Sequence, residues 1–585
     1  MNVQDIESER TRPGMAPIRP PRFAAWLVQP MMRNKGVYMK VALAAAMINL
    51  FGLIVSLFTM TVYDRVVPNL ALDSLTALSI GVGIVLVFDF ALRILRGYFV
   101  DVAGADIDRE VGSAVFDRLM RIRLDLKRGS TGALTGLMRE LETLREFFAS
   151  ASLTALVDVP FIVVTLIFIA MIGGPLVFVP LAIVPLIIGA GWATHPALDR
   201  LAAKSMNEGM LKQSVLVEAI GSLEMVKTSG AAPLLRRRWV EAIDQQADSS
   251  LRQRLVSNIA VTVATSGNSM AYIGIVIAGV FMIADRSLTM GALIACSILG
   301  GRAVQPLATI AQLLSRLSAT RTAYDQLNAM MMTPSEGPAE GALSPASFEG
   351  RIEFRNVQFK YPGATEKSLD GISLVVEPGQ KVALLGRVGS GKTTMIKLAL
   401  GLYHPQEGLV MIDGTDVRQL DPSTLRRNIG VALQEPVLLS GSVREYIVLD
   451  RPGVGDEEMI RASELAGAHS FMGKITNGYD LRLADRGEGL SGGQRQSITL
   501  ARALVGRPPI VFFDEPTSAM DAQTENGLID RLQLELAGRT VLLISHRTAL
   551  LRLADRIVIV EGGKIVSDGP RDQVLAQLQR PRAAA

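Results

Sequence analysis

The first half of the chain alternates long apolar runs with polar stretches, whereas the second half has only short apolar runs between charged and glycine-containing segments. A membrane-spanning helix needs roughly 20 apolar residues. The long runs therefore predict an all-α transmembrane domain over 39–332 with six spans. These spans are predicted at 41–62, 75–95, 156–173, 175–194, 256–284 and 287–311.

Basic residues are concentrated in two of the predicted connections. Residues 93–158 hold ten Lys and Arg and residues 195–254 hold nine, while the three opposite connections hold two in total. Cytoplasmic connections carry the excess of Lys and Arg in membrane proteins. We therefore predict a multi-pass membrane protein with both termini in the cytoplasm and with 1–38 as a cytoplasmic tail.

The two basic connections are predicted to be helical. Apolar residues in 134–148 recur with the period of a helix. This pattern indicates that the spans continue as helices into the cytoplasm. The turns near 128–133 and 219–227 either contact a soluble domain or only connect two helices.

Asp89 and Arg302 are among the charged residues that fall inside predicted spans. Counted from the outer ends of their helices at ~1.5 Å per residue, both lie at a depth of about 22 Å. Charges inside a membrane are costly and usually pair or face water. We hypothesise that Asp89 and Arg302 pair, within or between chains, and exchange partners during a transport cycle. The alternative is that each faces water near the inner interface.

Composition sets further limits on the chain. Its mean hydropathy of +0.31 is high for a soluble protein. Cys296 is the one cysteine in 585 residues, which excludes an intrachain disulfide, and its apolar neighbours predict a packing role. The net charge is only +4 and no basic patch stands out, so we expect no nucleic-acid partner.

A Pro-, Gly- and Ser-rich segment over 333–350 is predicted to link the membrane domain to an α/β domain over 351–585. Near the start of that domain an apolar strand, 381–385, runs into the phosphate-binding pattern G-x-x-x-x-G-K-T over 386–393. Glycines let backbone amides approach phosphates, while Lys392 is expected at the β- and γ-phosphates and Thr393 on Mg²⁺.

Four further polar side chains lie at or just after the ends of predicted strands, and together with the phosphate-binding loop they could hydrolyse a nucleotide. Asp514 ends the buried strand of "PIVFFDEP", where its carboxylate is expected to hold Mg²⁺. Glu515 comes next and is placed to accept a proton from an attacking water. His546 ends another apolar strand and is expected at the γ-phosphate, and Gln434 is expected to bind Mg²⁺ or orient the water.

In this order the motifs resemble the ATP-binding cassette (ABC) family over about 350–579. In that family an aromatic residue stacks on adenine, and Tyr361 in "FKYPG" matches it. The stretch "LSGGQRQ" matches the signature that contacts ATP held by a second cassette. The resemblance implies that ATP and Mg²⁺ are bound, and it assigns the following residues to the nucleotide: Tyr361, Gly386, Arg387, Val388, Gly389, Ser390, Gly391, Lys392, Thr393, Thr394, Gln434 and Asp514, with Ser491, Gly492, Gly493 and Gln494 acting in trans.

The chain carries one phosphate-binding loop and one signature. Because the family builds each site from two cassettes, one chain cannot complete a site of this kind. The resemblance therefore implies a half-transporter of the ABC exporter type that works as a homodimer with two composite ATP sites.

The membrane half has a narrower resemblance. Segments such as 48–69 and 288–307 are similar to the permease/ATPase of bacterial type I secretion. This implies ATP-driven export of an unfolded polypeptide from the bacterial inner membrane, in contact with membrane lipids, a periplasmic adaptor and an outer-membrane channel. Many relatives carry an N-terminal peptidase domain, whereas about 40 residues precede the first predicted span here. We therefore expect a substrate with an uncleaved C-terminal signal.

Three alternatives stay open at this point. An exporter of lipids or small molecules would share the fold. A soluble cassette ATPase that acts on nucleic acid or ribosomes conflicts with the apolar spans. An ATP-gated channel would conduct ions with ATP bound.

Overall fold

A computed structural model describes residues 23–126, 131–149, 151–337 and 341–579. The chain divides into two units. The membrane unit is helical and ends at Thr333. The cassette unit begins at Pro334 and also takes in residues 121–126, where Ile122 forms a β-bridge with Ser335. Of the turn predicted at 128–133, residues 128–130 lie outside the described part of the chain.

Four helices of the membrane unit, with 43 to 53 residues each, are much longer than a bilayer requires. The helices of this unit are α1 (Ala25–Arg33), α2 (Lys35–Thr61), α3 (Leu72–Met120), α4 (Thr131–Ala149), α5 (Ala151–Gly173), α6 (Phe178–Gly221), α7 (Leu223–Thr228), α8 (Ala232–Ala284) and α9 (Met290–Met332). Within this unit α8 packs against α6 and α9, α2 packs against α3, and α5 packs against α9.

Each predicted span falls largely within one of these helices. Five described segments are long and apolar enough to cross a membrane: Lys35–Asn69, Leu72–Met120, Asp158–Gly221, Ala232–Ala284 and Met290–Ile310. The segment Asp158–Gly221 contains two helices, because a 3-10 turn at Gly174–Val177 separates α5 from α6. The last helix begins at Met290, three residues after its predicted start.

Part of the predicted cytoplasmic tail is packed helix. The indole Nε1 of Trp26 on α1 donates to the side-chain oxygen of Asn328 on α9 at 3.1 Å, and its ring stacks on Tyr324 at 5.8 Å. The backbone N–H of Ala24 donates to the Tyr324 hydroxyl at 2.6 Å. These contacts hold the segment after Phe23 on the membrane unit.

The end of α2 opens into a π-helical segment, Val62–Val66, which carries Asp64 towards the start of α9. One carboxylate oxygen of Asp64 accepts from the backbone N–H of Gly291 at 2.8 Å, and the other accepts from the Thr289 hydroxyl at 2.7 Å. Thr289 Oγ1 in turn accepts from the backbone N–H of Ala292. The first N–H groups of a helix have no intrahelical acceptor, so Asp64 caps α9 from another helix.

The intramembrane charges are arranged differently from our hypothesis. Asp89 accepts from Nε of Arg93 at 2.7 Å, one turn further along α3. Among the described residues no hydrogen bond or ion pair joins Asp89 to Arg302, and the contact of Asp89 is with Arg93. The guanidinium of Arg302 lies against Gly52, where an added Cβ would be 1.5 Å from Nη1. Pairing between two chains stays a prediction.

The cassette unit contains two main sheets. Its strands are β1 (Ile352–Phe359), β2 (Leu369–Val376), β3 (Lys381–Leu385), β4 (Glu407–Ile412), β5 (Thr415–Asp416), β6 (Ile429–Ala432), β7 (Gly441–Ser442), β8 (Arg482–Leu483), β9 (Ile510–Asp514), β10 (Thr540–Ile544), β11 (Arg556–Glu561) and β12 (Lys564–Pro570). The antiparallel sheet has the order β2-β1-β4-β5, and the central sheet has the order β12-β11-β3-β10-β9-β6, in which only β12 runs antiparallel. β7 and β8 form a small ribbon.

The helices of the cassette unit cover the central sheet and line its edges. They are α10 (Lys392–Ala399), α11 (Pro422–Arg427), α12 (Val443–Val448), α13 (Asp456–Leu465), α14 (His469–Met472), α15 (Gly492–Leu504), α16 (Ala522–Glu535) and α17 (Arg571–Gln579). Every residue of β9 and β10 is buried, as expected for parallel strands covered on both faces. The carboxyl ends of β3, β9, β10 and β6 therefore meet at one edge of the sheet.

The predicted linker is a structured part of the cassette unit where it is described. The Asp413 carboxylate accepts from three successive N–H groups, those of Glu349, Gly350 and Arg351, at 2.7 to 2.9 Å. Leu343 forms a β-bridge with Leu420. The composition of the linker predicts a turn-rich segment, and the hydrogen bonds to Asp413 fix the path of that segment.

Candidate nucleotide-binding site

The phosphate-binding loop joins β3 to α10 and depends on glycines at two places. Gly386 has φ +150, and an added Cβ would lie 2.0 Å from the Val560 carbonyl oxygen. Gly391 has φ +102, and an added Cβ would lie 2.5 Å from the Ser368 carbonyl oxygen. The loop therefore packs too closely on its neighbours for any side chain there. Between the two glycines Val388 is 93% exposed, so the loop faces outward.

Lys392 lies at the start of α10 and folds back over the loop. Its Nζ donates to the carbonyl oxygens of Gly386 at 2.7 Å and Arg387 at 2.9 Å. Burial lowers the pKa of Lys392, while Asp514 and Glu515 act in the opposite direction. The loop thus holds a cation close to its backbone, and positive charge beside backbone N–H groups is what a phosphate group requires.

Thr393 and Asp514 converge across the edge of the sheet. The Thr393 hydroxyl donates to Oδ2 of Asp514 at 2.7 Å. Burial raises the pKa of Asp514, while the Thr393 hydrogen bond and nearby Lys392 oppose that rise. Two adjacent oxygen donors, one of them a carboxylate, fit Mg²⁺, which takes few protein ligands together with phosphate and water. Gln434 follows β6 by two residues at the same edge and is exposed.

Glu515 follows β9 with a left-handed backbone, φ +50, which is uncommon for a residue other than glycine. Its N–H donates to the Ile544 carbonyl at the end of β10. Its Oε1 accepts from the backbone N–H of His546 at 3.1 Å and lies 3.7 Å from Nε2 of the same histidine. The two predicted catalytic residues are therefore neighbours, and His546 contacts the carboxylate of Glu515.

Tyr361 belongs to an aromatic cluster with Phe359 and Tyr403, with ring centroids 4.9 and 5.2 Å from its own. Its hydroxyl lies 3.2 Å from Oγ1 of Thr394 on α10. Nζ of Lys397 lies over the Tyr361 ring at 5.7 Å. The cluster fixes the ring beside the helix that follows the phosphate-binding loop.

The signature residues form the N-terminus of α15 through a capping box. Ser491 Oγ accepts from the Gln494 N–H at 3.2 Å, and Gln494 Oε1 accepts from the Ser491 N–H at 2.8 Å. The Ser491 hydroxyl therefore keeps its proton to donate to another oxygen. Within the described residues no hydrogen bond joins 491–494 to the loop 386–394.

Two side chains that order this region, Gln496 and Arg547, are not among the residues predicted from the sequence. Gln496 is buried on α15 and hydrogen-bonds the loop after Glu515. Arg547 donates to the carbonyl oxygens of Ser518 and Met520. Gln496 lies inside the quoted motif "LSGGQRQ". The sequence feature that could have indicated its role is that it is a polar residue at the start of a buried helical face.

Two regions of the chain match family models. Residues 38–301 match the ABC transporter transmembrane region, and residues 369–518 match the ABC transporter model. The chain belongs to the ABC transporter family, and it is a multi-pass membrane protein with an ATP-binding ATPase coupled to transport.

Proteins named leukotoxin translocation ATP-binding protein LktB are similar to this chain over most of its length. Those from Pasteurella haemolytica-like sp. (strain 5943B), Mannheimia glucosida and Bibersteinia trehalosi are 32% identical over 558 residues, which cover 94% of this chain and 78% of each relative. A bacterial Atm1-family ABC exporter with ATP bound has a TM-score of 0.83 at 22% identity, covering 94% of this chain and 100% of that one. This structural match confirms the predicted fold, a helical membrane domain followed by an α/β cassette.

Proposed function

We propose that this protein is the ABC component of a bacterial type I secretion system, which exports an unfolded polypeptide across the inner membrane. The observation that carries the proposal is the 32% identity to LktB over 94% of this chain. The name of that relative describes an ATP-binding protein for the translocation of a leukotoxin. In this proposal both termini lie in the cytoplasm, as the charge distribution of the connections indicates.

We assign the nucleotide to the edge of the central sheet. Lys392 and the N–H groups of 386–394 bind the β- and γ-phosphates, and Tyr361 stacks on adenine. Thr393, Asp514 and Gln434 supply oxygen ligands for Mg²⁺, which would neutralise the charge that develops on the phosphates when it is bound. Glu515 accepts the proton of the attacking water, and His546 contacts the γ-phosphate while holding that carboxylate in place.

The second half of each site comes from a second copy of the chain. Ser491, Gly492, Gly493 and Gln494 lie at a helix N-terminus, where exposed N–H groups and the helix dipole favour an anion. Their role is to contact the γ-phosphate bound by the partner subunit. Two such contacts, related by a two-fold axis, close a homodimer around two ATP molecules, and hydrolysis releases it.

The remaining partners follow from the secretion role. The external connections are short, since only a few residues separate α5 from α6 and α8 from α9. A conduit through the periplasm must then come from other proteins, which we propose are an adaptor and an outer-membrane channel.

The test is a comparison of secreted proteins in the native host. Lys392→Ala removes the cation from the phosphate-binding loop, so we expect ATPase activity to fall by about two orders of magnitude or more. One polypeptide should then disappear from the culture medium. Deletion of the adaptor or of the channel should remove the same polypeptide, whereas Lys564→Ala, an exposed lysine on β12, should leave secretion intact.

A different pattern would contradict polypeptide secretion. If Lys392→Ala leaves the secreted proteins unchanged and instead alters membrane lipid composition or resistance to a toxic compound, the chain is a lipid or small-molecule exporter.

A further inference from the structure

The amide of Gln496 is buried and hydrogen-bonds one loop with both of its ends. Its side chain is on α15, two residues after Gln494, and the residue is 3% exposed. Nε2 donates to the Glu515 carbonyl at 2.9 Å and to Oγ of Ser518 at 3.1 Å. Oε1 accepts from the Ala519 N–H at 2.9 Å. A buried amide with all these partners on one loop fixes the position of that loop relative to α15.

The start of α15 also packs directly against the same loop. An added Cβ on Gly492 would lie 3.3 Å from Cβ of Ala519, and one on Gly493 would lie 3.1 Å from the Ala519 carbonyl oxygen. These distances are at or below ordinary contact, so glycines permit the close approach. The signature turn and Ala519 are therefore in direct contact.

The loop is held from its other side by the residue after His546. Nη2 of Arg547 donates to the Ser518 carbonyl and Nη1 donates to the Met520 carbonyl, both at 3.2 Å. Nη1 also donates to Oε2 of Glu525 at 3.1 Å. The loop is thus fixed between α15 and the end of β10.

Gln496 also supports the backbone of Glu515. A left-handed conformation costs a non-glycine residue of order 1–3 kcal/mol, and Glu515 adopts it with φ +50. Its N–H is held by the Ile544 carbonyl, and its own carbonyl accepts from Gln496. Displacement of Gln496 therefore removes one of the hydrogen bonds that keep the Glu515 carboxylate at the sheet edge.

We propose that Gln496 is a positioning residue that couples the two ATP sites of the dimer. This inference rests on the composite sites proposed above, in which Ser491 and Gly493 serve the partner subunit's nucleotide while Glu515 serves its own. Contact of the signature turn with one γ-phosphate shifts the start of α15. Gln496 transmits that shift to the Glu515 backbone, so ATP at one site orders the base at the other.

The experiment measures ATPase rate against ATP concentration for the full-length protein in lipid nanodiscs. Gln496→Met keeps the length of the side chain but removes its three hydrogen bonds. We expect kcat to fall by about tenfold to a hundredfold, since small misplacements of a base have effects of this size. KM should change by less than about twofold, and the Hill coefficient should fall from near 2 to about 1.

Two further variants define the result. Gln496→Glu keeps an acceptor for the Ala519 N–H but places negative oxygens against the Glu515 carbonyl, so its kcat should fall at least as far. Thr499→Val removes a buried hydroxyl from the same helix, whose Oγ1 donates to the Arg495 carbonyl. This control should lower the melting temperature without changing the Hill coefficient.

A Gln496→Met variant with the wild-type Hill coefficient would overturn the proposal, whatever its kcat. If that variant does not fold, Ser518→Ala decides, because it removes one of the three hydrogen bonds and should lower the Hill coefficient part of the way. A wild-type Hill coefficient of 1, together with a Glu515→Gln variant that stays monomeric with ATP, would instead contradict the composite dimer itself.

Discussion

The membrane unit and the cassette unit use their apolar residues in opposite ways. In the most apolar part of α3 none of the residues is buried, and Phe90 is 66% exposed. In the cassette, Phe512 and Phe513 on β9 are fully buried in the two clusters that flank the central sheet. Lipid is the solvent of the first surface and water that of the second. In the membrane unit an apolar side chain can therefore face outward as well as pack between helices, whereas in the cassette it stabilises the fold by facing inward.

Polar residues differ between the two units as well. In the cassette they gather at one edge of the sheet, where Lys392, Thr393, Asp514 and Glu515 share one network. In the membrane unit they form separate cross-links between helices. Asn49 donates to Asp158 at 2.8 Å, for example. Chemistry is thus concentrated in one unit, while polar groups in the other unit fix how its helices pack.

The largest effect is expected for Glu515→Gln, which tests whether the chemistry depends on one carboxylate. The amide keeps an acceptor for the His546 N–H but cannot take a proton, so turnover should fall by about 10²–10⁴-fold. ATP binding should remain, and size-exclusion chromatography should show a dimer trapped by ATP. Turnover at the wild-type rate would refute the assignment of the base.

A pair of phenylalanine truncations tests the contrast in apolar packing. Phe512→Ala opens a cavity beside the central sheet and should cost about 3–5 kcal/mol of cassette stability. Phe90→Ala removes a ring that contacts no packed core and should leave the melting temperature in nanodiscs nearly unchanged. Equal losses of stability in the two variants would contradict the contrast.

Asp64→Ala tests the cross-link between the end of α2 and the start of α9. Loss of a helix cap lowers the free energy of unfolding by about 0.5–2 kcal/mol, so the membrane unit should unfold at a lower denaturant concentration. Asp285→Ala, at an exposed position after α8, is the matched control and should have little effect. The idea fails if both variants have the same stability.

The smallest effect is expected for two glycines in apolar helices. Gly81 has no neighbour within 4 Å of an added Cβ, so Gly81→Ala should stabilise its helix by about 0.4–1 kcal/mol. Gly52→Ala forces the Arg302 guanidinium to move and should lower the transport rate by a few fold. In an Arg302→Ala background, Gly52→Ala should lower the transport rate no more than Gly81→Ala does. A transport defect of Gly52→Ala that persists in this background would exclude Arg302 as its cause.

Much of the candidate site could be predicted from the sequence because its residues lie within short motifs. The run 386–393 is continuous in the chain, and the strand before it is apolar, so the loop and its lysine follow from local rules. Asp514 and His546 end apolar strands, and parallel strands bring their carboxyl ends to one edge. Gln496 and Arg547 could not be recognised in this way, because most of their side-chain partners are backbone groups and all of these partners are more than 15 residues away.

The sequence by itself determined that the chain has a membrane half and an ATP-binding half, since apolar run length and motif spacing are local properties. Only the tertiary structure decided that Asp64 caps α9 and that the segment before β1 is held by Asp413. It likewise decided that a glutamine of the signature helix supports Glu515. Each of these outcomes depends on which distant groups the fold brings within hydrogen-bonding distance, and burial makes such bonds costly to leave unformed.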